Sequence, residues 1–234
     1  MKPRQIIALG GGGFSSNQER SPLDRYILKQ SGKANPRICF IPTASGDSED
    51  YIQRFYRYYE KQNCQPSHLS LLKPNFSDLE AMIMDQDILF VGGGNTRNLL
   101  ALWGAWGLDE IIREAWKQGI VLAGISAGSI CWFEQGLTDS VPGRLSAINA
   151  LGFLPGSNCP HYDSEASRRL TYLQMIARGE LLGGYAVEDQ VALHFIGTQL
   201  YKAVTSSDTA RAYQVRQQGD QVGEGVIMPE RLTE

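Results

Sequence analysis

Short apolar runs alternate with longer amphipathic ones along the first half of the chain. Gln5-Ile6-Ile7-Ala8-Leu9, Arg37-Ile38-Cys39-Phe40-Ile41, Ser67 to Leu72, Asp87 to Val91 and Gly119 to Ala123 carry the apolar runs. Glycine or proline stops several of them, the pattern of strands buried on both faces. Between them lie helical stretches. Ser21-Pro22-Leu23-Asp24 opens one with a serine cap and proline at the first helical position. Asp47 to Gln62 predicts an aromatic-rich helix, and Ser77-Asp78-Leu79-Glu80 has the form of a capping box. Further helices are predicted over 95–103 and 109–118, and Ser129 to Phe133 reads as the first turns of another.

The last third changes period. VALHFIGTQLYKAV alternates apolar and polar positions about Gly197-Thr198, which predicts an antiparallel hairpin. Short strands around Ala212 to Val215 and Val226 to Met228 are expected to extend that edge. Strands alternating with helices imply a mainly parallel central sheet with helices on both faces. The expected fold is therefore α/β with an antiparallel C-terminal edge, in a single domain over 1–234.

Composition narrows the function. The 234 residues are 42% hydrophobic and 20% charged, a globular balance. A net charge of −3 with scattered basic residues argues against a nucleic-acid surface. No run approaches the ~18 apolar residues of a membrane span. The start, MKPRQIIALGGGG, lacks the apolar core of a signal peptide. Cys39, Cys64, Cys131 and Cys159 form no C-x-x-C pair and no zinc spacing, so neither metal nor cofactor is expected. A reduced, cytoplasmic protein is the simplest expectation.

Three glycine-rich turns fall at predicted strand ends: Gly10 to Gly13, Gly92 to Gly94, and Gly124-Ile125-Ser126-Ala127-Gly128. In open α/β sheets ligands bind at those ends. The third turn has the spacing of a nucleophile elbow, in which a serine on a sharp strand-to-helix turn is exposed above the sheet. A tight turn of small residues is the plainer explanation of the same pentapeptide. A serine nucleophile needs a base, and the chain has three histidines. His68 and His194 fall within predicted strands, where a structural role suffices. His161, in the polar loop Asn158-Cys159-Pro160-His161-Tyr162-Asp163, is the best placed base. Asp139, Asp163, Glu165 and Glu188 are candidates for the acid, and pattern alone does not separate Glu188 from Asp139. The Ala127 amide can serve an oxyanion, with a second donor from the glycines at 92–94.

FIPTAS at 40–45, LFVGGGNTRNLL at 89–100, GISAGSICW at 124–132, PHYD at 160–163 and VEDQVAL at 187–193 together resemble the peptidase E group of serine peptidases, the aspartyl dipeptidases, with cyanophycinases as relatives. The resemblance implies a flavodoxin-like or class I glutamine-amidotransferase-like sandwich. It implies Ser126 as nucleophile, His161 as base, and the Gly94 and Ala127 amides as oxyanion hole. It favours Glu188 as the acid, with Asp139 as runner-up, and a homodimer. Aspartyl dipeptidases carry an arginine in the helix after the histidine; here Ser167 stands at that place, with Arg168 or Arg169 as substitutes for binding substrate.

The expected function is hydrolysis of short peptides, as a dipeptidase-like exopeptidase, through an acyl-enzyme on Ser126. The alternatives are a peptide-binding or nucleotide-binding protein without turnover. Nucleotide binding fails on spacing: neither IIALGGGGFSS nor VGGGNTRN completes G-x-G-x-x-G, and no P-loop exists.

Overall fold

Strand alternation sorts the apolar side chains into two layers. In β1 (Gln5–Leu9), Ile6 and Ala8 enter one core and Ile7 and Leu9 the other. The computed structural model describes residues 2–16, 20–219 and 221–233. After β1 come α1 (Pro22–Gln30), β2 (Arg37–Ile41), α2 (Glu49–Tyr59), β3 (Gln65–His68), α3 (Leu79–Met84), β4 (Ile88–Val91), α4 (Thr96–Trp106), α5 (Leu108–Lys117) and β5 (Val121–Ile125). The same sorting holds in β2 and β4, whose Cys39, Ile41, Leu89 and Val91 lie opposite Ile38, Phe40, Ile88 and Phe90. Leu23, Ile27, Phe55 and Tyr59 of α1 and α2 cover one face. Ile83, Leu99, Trp103, Ile112 and Trp116 of α3, α4 and α5 cover the other.

The second half runs α6 (Ala127–Ile130), β6 (Phe133–Val141), β7 (Arg144–Asn149), β8 (Leu154–Cys159), α7 (Arg168–Ala177), β9 (Gly184–Val187), β10 (Val191–Ile196), β11 (Gln199–Thr205), β12 (Ala212–Gln218), β13 (Gln221–Ile227) and β14 (Glu230–Arg231). Among the described residues the strands form two sheets, ordered β14-β11-β10-β1-β5-β4-β2-β3 and β13-β12-β9-β8-β6-β7. β1, β5, β4, β2 and β3 are parallel, and the expected β10–β11 hairpin adds antiparallel to β1. Trp132, Phe133, Leu154 and Ala212 of the second sheet region join the core under α4 and α5, and α7 covers its other face through Tyr172 and Ile176.

The α/β architecture with an antiparallel edge stands as expected, with four local corrections. β12 and β13 do not extend the first sheet; β12 pairs with β9, and the two close the second. The helix expected from Ser129 to Phe133 is a single turn, α6, after which the chain enters β6. Trp132 there has no exposed surface and packs its ring against Trp103 and Phe153. Burying such a ring contributes roughly 2–3 kcal/mol, against less than ~1 kcal/mol per residue from helix propensity. The third strand ends at His68, because Asn75 Oδ1 and Asp47 Oδ2 take the Ser70 and Leu72 amides out of any ladder. Asp78 caps α3, accepting from the Ala81 amide, in place of Ser77.

The two histidines outside the loop have structural roles. His68 Nδ1 meets the Tyr56 hydroxyl at 2.9 Å. His194, buried in β10, lies between the Tyr26 hydroxyl at Nδ1 (2.6 Å) and Gln5 Oε1 at Nε2 (3.0 Å). Gln5 Nε2 donates to Gln30 O, which fixes the amide so that its oxygen faces His194. His194 is thus a neutral imidazole donating from Nε2. Burial chiefly, and the Lys202 ammonium next, push it down from 6.5 to about 4. Between those values the unfolded chain binds a proton that the folded one refuses, so the neutral ring's contribution is complete above pH 6.5 and is lost as pH falls toward 4. Thermal melts of wild type and His194→Gln should therefore differ most near pH 7 and converge toward pH 4. A gap in Tm that stays constant over that range would count against this assignment.

Candidate active site

β5 ends at Ile125, and the chain reverses at Ser126 with φ 56° and ψ −115°, a backbone region a side chain rarely occupies. The turn closes because small residues let the backbones touch. A Cβ on Gly124 would stand 2.0 Å from Gly128 O, and one on Gly128 would stand 2.3 Å from Val91 O. Ser126 N donates to Leu9 O at the end of β1 (3.3 Å), so the serine sits on the seam between β5 and β1. Its hydroxyl has no hydrogen-bond partner among the described residues. Ala127 N–H opens α6 and has no acceptor within the helix.

The strand beside the serine supplies the platform under His161. Beyond Leu9, Gly11 pairs with Asp189, and Gln190 N donates to Gly11 O (2.9 Å). A Cβ on Gly11 would lie 2.0 Å from Asp189 Oδ1 and 3.0 Å from His161 Cε1. The glycine run after β1 is therefore no phosphate loop; it clears the space in which a carboxylate and an imidazole rest on bare backbone. His161, itself at φ 54°, places Nδ1 2.7 Å from Asp189 Oδ1. Burial raises the Asp189 carboxyl, but the hydrogen bond and charge of His161, the Ser164 hydroxyl and the Arg168 guanidinium outweigh it and hold the group below the usual carboxylate range. An ionised carboxylate only accepts, so His161 donates to it from Nδ1.

The acid on the histidine is thus Asp189, in place of the expected Glu188. Neighbouring residues of an extended segment point to opposite sides. Glu188 turns toward β12, where it accepts from Arg211 N (2.6 Å) and Tyr213 Oη (2.9 Å). Asp139 does not reach His161 either; it lies in β6 with its side chain 61% exposed and 3.6 Å from Arg168. Asp163 and Glu165 serve the loop: Asp163 accepts from the Asp189 amide, and Glu165 binds Arg168 Nε at 2.5 Å.

The two arginines proposed for substrate are committed elsewhere. Arg168 is only 2% exposed and ties Glu165 to Leu137 O of β6. Arg169 binds Glu224 of β13 at 2.9 Å. Tyr162, beside the histidine, donates to the same Glu224 (2.6 Å). The loop carrying His161 is in this way clamped between α7 and the second sheet.

The glycine turn at 92–94 adjoins the serine. A Cβ on Gly93 would stand 3.2 Å from Ser126 Cβ and 3.7 Å from Ser126 Oγ, so this backbone touches the serine. Gly94, at φ 139°, presses against Ala44 O. Its amide donates to no acceptor among the described residues, as does that of Ala127. The two expected oxyanion donors are both unengaged on strand ends adjoining Ser126. Among the described residues no three His, Cys, Asp or Glu side chains gather as metal ligands would, and no helix is long and apolar enough to cross a membrane.

Residues 6–203 match the model of Peptidase family S51. The "Uncharacterized peptidase YgaJ" of Bacillus subtilis (strain 168) is 57% identical over 221 residues, which is 94% of this chain and 96% of that one. "Peptidase E" of Shewanella denitrificans is 30% identical over 142 residues, 54% of this chain and 60% of its own. A peptidase from an acI-B1 Actinobacterium, at 18% identity, has the same fold, with a TM-score of 0.69 over 96% of each chain. On the extent of the family match and of the YgaJ alignment, the chain belongs to peptidase family S51.

Proposed function

We propose that this protein is a serine peptidase that hydrolyses short peptides through an acyl-enzyme on Ser126. The observation that carries the reading is a strained, strand-tip serine tied to the end of β1, over which a histidine is held by an ionised aspartate. Ser126 Oγ attacks the scissile carbonyl as His161 Nε2 takes its proton. Asp189 fixes the tautomer and stabilises the imidazolium. The Gly94 and Ala127 amides receive the oxyanion. His161 then returns the proton to the departing amine, the acyl-enzyme remains, and water reverses the steps to release the acid. Neither Arg168 nor Arg169 is free to pair an acidic side chain, which favours short peptides without a requirement for aspartate.

The test is hydrolysis of a mixed dipeptide and tripeptide library read by mass spectrometry. Wild type should release products and Ser126→Ala none; turnover by both proteins, or by neither, would overturn the reading. The acid is tested in the same assay. Asp189→Asn should lower kcat by roughly 10³–10⁴, the scale of losing the orienting carboxylate in a Ser-His-Asp triad. Glu188→Gln, which keeps an acceptor oxygen toward Arg211 N and Tyr213 Oη and does not touch the ring, should lower kcat far less than Asp189→Asn. The opposite order would reinstate Glu188.

Gly11→Ala gives an independent check, because the added methyl occupies the place of Asp189 Oδ1. It should depress kcat to about the level of Asp189→Asn while Ser126 keeps its turn. Activity near that of wild type would show that the Asp189–His161 pair does not rest on Gly11 during turnover.

A further inference from the structure

We infer that Tyr51 is a positioning residue for the oxyanion hole, acting through the backbone of Gly93; this rests on the serine-peptidase reading above. Three consecutive glycines, Gly92 to Gly94, have more backbone freedom than any other residues would, yet a preorganised donor must not rotate. What holds this loop can be read amide by amide. Gly92 N donates to Ile41 O at 3.1 Å, which continues the ladder to β2. Asn95 N donates to Ala44 O at 2.7 Å. Gly93 N finds no backbone acceptor and donates to the Tyr51 hydroxyl at 3.4 Å. Gly94 N alone is left over. Tyr51 and Ala44 thus fix the peptide planes on either side of the one whose N–H is left without an acceptor, and Tyr51 is the only side chain among these acceptors.

The phenol is well built for this. Its ring is 5.7 Å from that of Phe14 and 4.9 Å from that of Phe40, centroid to centroid. A Cβ on Gly92 would meet the Phe40 and Tyr51 rings at 3.0 and 3.1 Å, so the first glycine lies flat on this aromatic floor. The Arg54 guanidinium lies 5.6 Å from the centre of the Tyr51 ring and donates to Ser15 O (2.7 Å), closing the outer side. Burial chiefly pushes the Tyr51 hydroxyl up to about 12, so the oxygen that accepts from Gly93 belongs to a neutral phenol across the working range of pH. Besides the Gly93 amide, the Ser15 side chain is a hydrogen-bond partner of this hydroxyl. A phenylalanine there would fill the same space and leave the Gly93 amide without its acceptor.

The test uses the full chain and a fluorophosphonate probe, in which the serine oxygen displaces fluoride from phosphorus and the phosphoryl oxygen occupies the oxyanion hole. The rate of labelling is followed by intact mass for wild type, Ser126→Ala and Tyr51→Phe, alongside peptide turnover and thermal melts. Tyr51→Phe should be labelled on the order of tenfold more slowly than wild type, short of the ~10²–10³ lost when an oxyanion donor itself is removed. kcat should fall by the same factor, with KM and Tm close to those of wild type. A rise in KM at constant kcat, or labelling as fast as wild type, would overturn the role of Tyr51 while the serine mechanism stands. Wild type that is not labelled, or Ser126→Ala that is, would overturn the serine mechanism and this inference with it.

Discussion

The Asp189 carboxylate rests directly on the backbone of Gly11, at a distance no side chain could share, and the site is arranged around that contact. β1 lies in the middle of the first sheet, flanked by β5 on one side and β10 on the other. The carboxyl end of β1 therefore touches both the strand that ends in Ser126 and the strand preceded by Asp189. Leu9 O takes the Ser126 amide, and Gly10 N donates to Val191 O. A bare backbone between two such neighbours lets an imidazole settle over the same strand end. With any side chain at position 11 the acid would be displaced, and its neighbours are pinned by the ladder and could not follow.

Backbone strain follows the same plan. Among the described residues four without glycine's freedom have positive φ: Asp47, Ser126, His161 and Gln190. Two of them are the proposed nucleophile and base, and a third follows the acid. Such conformations cost of order 1–3 kcal/mol each and persist only where the surroundings over-determine them. Here the surroundings are the sheet ladder beneath and the clamp on the histidine loop above, so the strain is held by the parts of the fold that are hardest to deform.

Most of the first sheet was legible because its strands are short apolar runs stopped by glycine or proline, and burial on both faces leaves no competing pattern. The elbow was legible for a related reason: only small residues allow the contacts of Gly124 with Gly128 and of Gly128 with Val91. The second sheet was not. Its strands are half polar, and β8 (LPGSNC) carries neither the alternation nor the β-branched residues that mark a strand. The carboxylate that meets His161 was missed by one position. In Val187-Glu188-Asp189-Gln190 either carboxylate could face the histidine, and the choice is made by which of them meets Gly11 of a strand remote in sequence. The signal that could have found it was Gly10 to Gly13 itself, a glycine run too long for a turn and without the spacing of a nucleotide loop.

The second sheet explains itself once the histidine loop is followed outward. Arg168 ties Glu165 of that loop to Leu137 of β6, Tyr162 reaches Glu224 of β13, and Glu188 reaches Tyr213 of β12. Each tie is a polar group that is buried or half-buried and loses its partner if the sheet shifts. Buried charges left unpaired cost several kcal/mol, so the loop has one low-energy position. Glu188 and Arg168, which sequence similarity places near the chemistry, are then understood as the fasteners of that position. Their carboxylate and guanidinium are spent on β12 and β6, and this is why the groups that remain for the proposed reaction are so few: one hydroxyl, one imidazole, one carboxylate and two amides.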